Sequence, residues 1–153
     1  VTFTAQNIAQ KKTRRIIHGM LFSMAFSLCI AGLFWAAGFL FPKEILSIFT
    51  TDANVLNFYP SFLHVMLIAS MIESLMFNLY GVIAGSGHTL YVFFCAIISA
   101  IVVRYTLVWV FDSFTTLGFI GIAWAYVCAP AASGLAALIY ILSGKWKKTK
   151  VLK

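Results

Sequence analysis

Two charged side chains stand inside long apolar stretches of this sequence, and they are its clearest chemical feature. Glu73 is the twelfth of 23 residues in the stretch 62–84, and Arg104 is the fifteenth of 22 in the stretch 90–111. A charge at the centre of a bilayer costs at least about 2.5–3.5 kcal/mol on insertion scales, so such residues are functional by default. Hydrocarbon disfavours an ionised carboxyl. A carboxyl poised between its two forms can pass a proton, and when ionised it can hold a cation. Helical spacing places Met66, Ser70, Phe77 and Tyr80 near the face of Glu73. One carboxylate beside a soft aromatic wall suits lipophilic cations, which gain from ring faces and from charge neutralisation. The plainer alternative is a carboxyl hydrogen-bonded into a helix interface with no part in transport.

Arg104 lies about 5 Å from the middle of its stretch at 1.5 Å per residue. The first expectation is that it snorkels to the outer headgroups. The alternative is an ion pair with Glu73. The tight Gly85-Ser86-Gly87 turn makes the two helices antiparallel neighbours, and the two charges sit at nearly matching depths. Such a pair would weaken the proton-carrier reading, since Glu73 would then stay charged beside its partner.

Other candidates are weaker. His64 is nine residues before Glu73 and so on the opposite helix face, which argues against a His–Glu metal site in this helix. His18 and His88 fall at a helix start and in a turn, where they are expected to be solvated. Cys29, Cys95 and Cys128 each lie in a different apolar stretch with no Cys-x-x-Cys, and read as small packing residues. There is no Ser/His/Asp set, no paired carboxylates and no phosphate loop, so the chain is expected to be neither an enzyme nor a cofactor carrier. Gly81-x-x-x-Gly85 has the spacing for close helix packing.

The elements that hold these residues follow from composition. Of 153 residues, 62% are hydrophobic and 10% charged, and the mean hydropathy is +0.97. Soluble domains average roughly 45–50% apolar and about 25% charged. That excess excludes both a water-soluble globule and a disordered chain. A bilayer core about 30 Å thick needs about 20 apolar residues in a helix. Four stretches qualify, at 19–41, 62–84, 90–111 and 120–142, giving an all-α integral membrane fold with four transmembrane helices. Their runs are continuous rather than alternating, which excludes barrel strands. Between the first two, Pro42-Lys43-Glu44 ends a helix, residues 45–49 read as a short interfacial segment, and Thr50-Thr51-Asp52 offers N-cap oxygens. Pro130 falls mid-way along the last stretch. It should remove one backbone bond and kink the helix, a loss that a neighbour must repair in lipid.

The net charge of +7 is distributed by side. Lys11, Lys12, Arg14 and Arg15 precede the first span, and Lys145, Lys147, Lys148, Lys150 and Lys153 follow the last. Four spans put both clusters on one side, opposite Lys43, Glu44, Asp52 and Asp112. The positive-inside rule then places both termini in the cytoplasm. This placement also explains the basic balance without nucleic acid. Trp146, among lysines, reads as an interfacial anchor. Residues 1–10 are mildly apolar and resemble the tail of an earlier helix, so the expectation is a piece of a longer chain with no signal peptide at its start.

Several segments together resemble a known family. They are Thr50-Thr51-Asp52-Ala53-Asn54-Val55; Glu73-Ser74-Leu75; Gly81-Val82-Ile83-Ala84-Gly85-Ser86-Gly87-His88-Thr89; Gly118-Phe119-Ile120-Gly121-Ile122-Ala123-Trp124; and the ending Ser143-Gly144-Lys145-Trp146-Lys147-Lys148. In order and spacing they are similar to the multidrug and toxic-compound extrusion (MATE) transporters. The family's usual Arg before G-x-G is Ala84 here, and Ala5-Gln6-Asn7-Ile8-Ala9-Gln10 stands in place of G-Q-N-x-G-A. The resemblance implies a twelve-helix, two-lobe antiporter that exchanges cationic drugs for protons or sodium by alternating access. This chain would be helices nine to twelve, without the N-terminal lobe of the same polypeptide. It would lie in the inner or plasma membrane. Glu73 falls where the family's tenth helix often carries an acidic residue, with Ser70, Phe77 and Tyr80 as candidate companions and Arg104 as a candidate ion-pair partner. Two other readings remain. One is an exporter of lipid-linked or polysaccharide cargo, which would prefer a cationic cavity. The other is a small four-helix membrane subunit or channel component.

Overall fold

The computed structural model describes residues 1–116 and 118–147. Lys148, Lys150 and Lys153 of the basic tail and Leu117 of the last connection lie outside the described residues. Among the described residues the chain is helical with no β-strand. The four apolar helices long enough to cross a membrane are Thr13–Leu40, Pro60–Gly85, Thr89–Phe114 and Phe119–Leu142. The first begins six residues before the expected start, because Arg14, Arg15 and His18 join it. Long basic side chains at a helix end can reach headgroups from inside the helix.

In chain order, α1 is Thr2–Ala9, and Lys11 at φ 55° turns the backbone into α2, Thr13–Leu40. Then α3, Pro42–Ser47, opens on Pro42, where a missing N–H matters least. The interfacial segment is therefore an early short helix rather than residues 45–49. Ile48 and Phe49 follow it, both more than three-quarters exposed at 76% and 83%. Asp52 caps α4, Ala53–Phe58, accepting the Asn54 backbone N–H at 2.8 Å.

The second span is α5, Pro60–Gly85. It stops through a left-handed residue, Gly87 at φ 89°, while the Gly87 and His88 backbone N–H groups donate to the carbonyls of Ala84 and Ile83. The third span has three parts: α6, Thr89–Ile97; a π turn, Ile98–Val103; and α7, Arg104–Phe114. Hydropathy had this span as one regular helix. The fourth is α8, Phe119–Leu142, with Pro130 buried inside it.

The hub is α5, which packs on α2 along one side and on α8 along the other. The face of α8 is made of small residues, with Gly121, Ala123, Ala125, Ala129, Ser133 and Ala137 all buried, so the two backbones approach closely. One core cluster joins Met76, Leu79 and Ile83 to Ala137 and Ile141, and a second joins Val65 and Ala69 to Ala123 and Val127. By contrast α2 buries only Ile16 and Gly38 and shows Phe22, Phe26, Leu33 and Phe34 outward. Polar contacts hold it instead. Ser23 donates to the Asn78 side-chain oxygen, and the Asn78 amide donates to Ser27 Oγ at 3.0 Å.

Trp146 is not the lipid-facing anchor that its neighbours suggested. It is 1% exposed, in the first core cluster, and its indole N–H donates to the Ile141 carbonyl at 3.0 Å. Gly144 at φ 70° turns the chain back and folds the ring onto the bundle. The Gly81-x-x-x-Gly85 face receives α1: a Cβ on Gly85 would stand 2.6 Å from the Val1 carbonyl and 2.7 Å from Thr4 Cβ. Gly85→Ala should therefore push α1 off α5 and cost about 1–3 kcal/mol. Gly32→Ala, where a Cβ meets nothing within 4 Å, should not destabilise. Unfolding titrations in mixed micelles measure both, and equal losses would refute the packing account.

Candidate functional site

The two intramembrane charges meet at the junction of three helices. An Arg104 terminal nitrogen lies 3.6 Å from Glu73 Oε1, so α7 and α5 are joined by an ion pair. The guanidinium carbon also sits 4.1 Å from the centre of the Tyr126 ring on α8. Arg104 therefore turns inward instead of snorkelling to the outer headgroups. Partners at its own depth make the longer reach unnecessary. Neither charge is sealed off: the side chains are 25% exposed for Arg104 and 38% for Glu73.

They open onto a cavity of about 440 Å³ between α5 and the third span. Glu73, Met76, Phe77 and Tyr80 line it from α5, and Ser99 and Arg104 line it from the facing span. Of the companions expected for Glu73, Phe77 and Tyr80 are in place. Phe77 is 63% exposed and meets Tyr80 edge-on at 6.5 Å. Tyr80 presents its ring, since its hydroxyl is bonded to Ser133 of α8. Ser70 is not part of this wall. It is three residues before Glu73, and its hydroxyl turns back to the Leu67 carbonyl at 2.7 Å. Met66 packs instead against the second core cluster. His64 lies away from the cavity, its ring tilted against Phe39 of α2 at 5.1 Å, and its Nε2 has no partner among the described residues. No three His, Cys, Asp or Glu side chains gather to hold a metal among the described residues.

Sequence reasoning missed four parts of the site. Tyr126 carries no local signal, because a tyrosine in an apolar helix is ordinary until a cation lies on it. Ser99 and Ser133 could have been noticed as hydroxyls in apolar stretches. Ser99 donates to the Ala129 carbonyl at 2.9 Å, next to Pro130, and Ser133 reaches the Cys95 carbonyl at 3.5 Å as well as Tyr80. The carbonyl that Pro130 frees is that of Tyr126, four residues back, and neither bond reaches it. The π turn between Ser99 and Arg104 has no composition signature at all.

Apolar spans enclosing a charged, partly open cavity define a multi-pass helical membrane protein. The chain belongs to the MatE family, whose model matches residues 1–110. It is similar to the probable multidrug resistance protein NorM of Thermotoga maritima, with 28% identity over 115 residues, covering 74% of this chain and 25% of that protein. The chain thus spans about a quarter of the length of that curated relative. No solved structure matches it at comparable significance. The motif resemblance runs further than the family model, through residues 118–124 and the tail.

The Tyr80–Ser133 bond crosses between α5 and α8 beside the cavity. Interhelical hydrogen bonds in membranes average about 0.6 kcal/mol in double-mutant cycles. A cycle of Tyr80→Phe and Ser133→Ala, read by unfolding titration, should give a coupling of about that size. Additive losses would show that the two groups do not interact.

Proposed function

We infer that this chain is part of a secondary active efflux antiporter that exports mostly cationic drugs in exchange for protons or sodium. Glu73 is the coupling or substrate-binding carboxylate. The observation that carries this reading is a mid-span carboxylate, partly open to a cavity walled by Met76, Phe77 and the Tyr80 ring. Such a wall gains from apolar burial and ring faces, while the carboxylate supplies the charge. Membership of the MatE family and similarity to a protein described as a multidrug resistance protein support the same class.

In this reading the chain supplies helices nine to twelve of a twelve-helix, two-lobe protein in the inner or plasma membrane. The other lobe closes the far side of the pathway. Alternating access then exposes Glu73 to one surface at a time. Inside, the carboxylate exchanges its counter-charge for a drug cation; outside, a proton or sodium ion replaces the drug. Both ends of the chain face the cytoplasm.

The rival exporter of lipid-linked or polysaccharide cargo draws on one observation, that Arg104 faces the same cavity and could take an anionic headgroup. The two readings separate on one variant. In the complete protein, Glu73→Gln should cut efflux of ethidium and its coupling to the ion gradient at least about tenfold, a loss of about 1.4 kcal/mol in transition-state stabilisation. Unchanged efflux and coupling would overturn the role of Glu73. Orientation has its own check, in a background without Cys29, Cys95 and Cys128. A cysteine at Thr51 should react with a membrane-impermeant maleimide outside intact cells, and one at Lys145 should not. The reverse pattern would overturn the cytoplasmic placement of the ends.

A further inference from the structure

Cargo binding by Glu73 leaves Arg104 without a task, yet its placement is specific. The Arg104 backbone N–H donates to the Ser99 carbonyl, five residues back. In an α-helix, side chains five apart point about 140° away from each other at 3.6 residues per turn. A five-residue bond instead stacks them on one face, and π turns of this kind gather at functional sites. Ser99 itself is fixed: it is 8% exposed, with its hydroxyl on the Ala129 carbonyl of α8. With the upstream helix anchored there, the π turn is what swings Arg104 into the cavity. Without it the guanidinium would rotate off Glu73 toward the outer face of the span.

The contacts of Arg104 are also incomplete. Its approach to Glu73 is a single one at 3.6 Å, longer than a charge-assisted hydrogen bond. Its Nε is buried with no acceptor among the described residues. The Tyr126 ring lies under the guanidinium at 4.1 Å and would continue to hold it if Glu73 were taken by something else. This is a weak, replaceable partner for the carboxylate, with a resting place of its own.

We propose that Arg104, aimed by the π turn over Ile98–Val103, is a tethered cation that competes with the drug cation for Glu73. The proposal rests on Glu73 being the cargo carboxylate. In the empty site Arg104 balances Glu73, so the carboxylate is never left uncompensated in a low dielectric. An arriving lipophilic cation displaces it, gaining apolar contact with Met76 and Phe77, and Arg104 stays on Tyr126. As the cargo leaves, Arg104 returns to Glu73. An exporter must release what it binds, and a tethered competitor lowers the affinity of every cation by the same factor. The device trades binding strength for release.

The test uses the complete protein and tetraphenylphosphonium as the cation. Binding is measured in alkaline buffer, where competition from protons is least, and transport in proteoliposomes. R104Q should bind tetraphenylphosphonium roughly tenfold tighter, by the loss of one weak ion pair, and should turn over more slowly because release limits it. R104K keeps the charge and should bind like the unaltered protein. Inserting an alanine between Val103 and Arg104 leaves the arginine in the chain but turns it about 100° around the helix axis, off Glu73, so it should reproduce the tighter binding. It also tests the idea if R104Q does not fold. If R104Q or the alanine insertion binds with unchanged or weaker affinity while Glu73→Gln still abolishes binding, the tethered-cation proposal fails and the assignment of Glu73 stands. If Glu73→Gln leaves binding unchanged, the assignment of Glu73 itself fails.

Discussion

Hydrocarbon offers a charged or polar group no hydrogen-bond partner, so whatever this chain carries into the membrane must be satisfied by the chain itself. Arg104 makes the heaviest demand. Its guanidinium draws on a carboxylate from α5 and a ring from α8, and these contacts require the third span to lie against both at one depth. The small-residue face of α8 answers that requirement, because only short side chains let three helices converge there. The cavity is the space left open beside that junction.

Irregular backbone collects at the same depth. The π turn breaks the third span, and Pro130 weakens α8 directly opposite. Hydroxyls cross between the two irregular stretches: Ser99 reaches across to Ala129, and Ser133 reaches back toward Cys95. These bonds tie non-ideal helix together where it faces protein and a cavity rather than lipid. Polar contacts do similar work for α2. It buries little of its own surface, so the Asn78 contacts with Ser23 and Ser27 hold it to α5 where hydrophobic burial offers little driving force.

Family membership and geometry bear on different levels. The family model covers α1 through most of the third span and so includes Glu73 and Arg104, but not Tyr126 or Ser133 on α8. The partners that hold the pair in place thus lie outside the matched residues. They become visible only through packing.

The sequence by itself determined four membrane spans, their order and the depth of both charges. Hydropathy and length are properties of a single helix, and a bilayer reads them without reference to neighbours. The Gly87 turn, the Asp52 cap and the close approach at Gly85 were legible for a similar reason, since each is set within a few residues or by the absence of a side chain. Tertiary structure alone decided which partners the charges take. It turned Arg104 inward, separated Ser70 from Phe77 and Tyr80, and buried Trp146. Each outcome depends on how one helix is rotated against another, and a π turn between Ser99 and Arg104 changes that rotation without leaving a mark in composition. Local patterns encode how far a residue lies through the membrane; the packing of three helices encodes what it meets there.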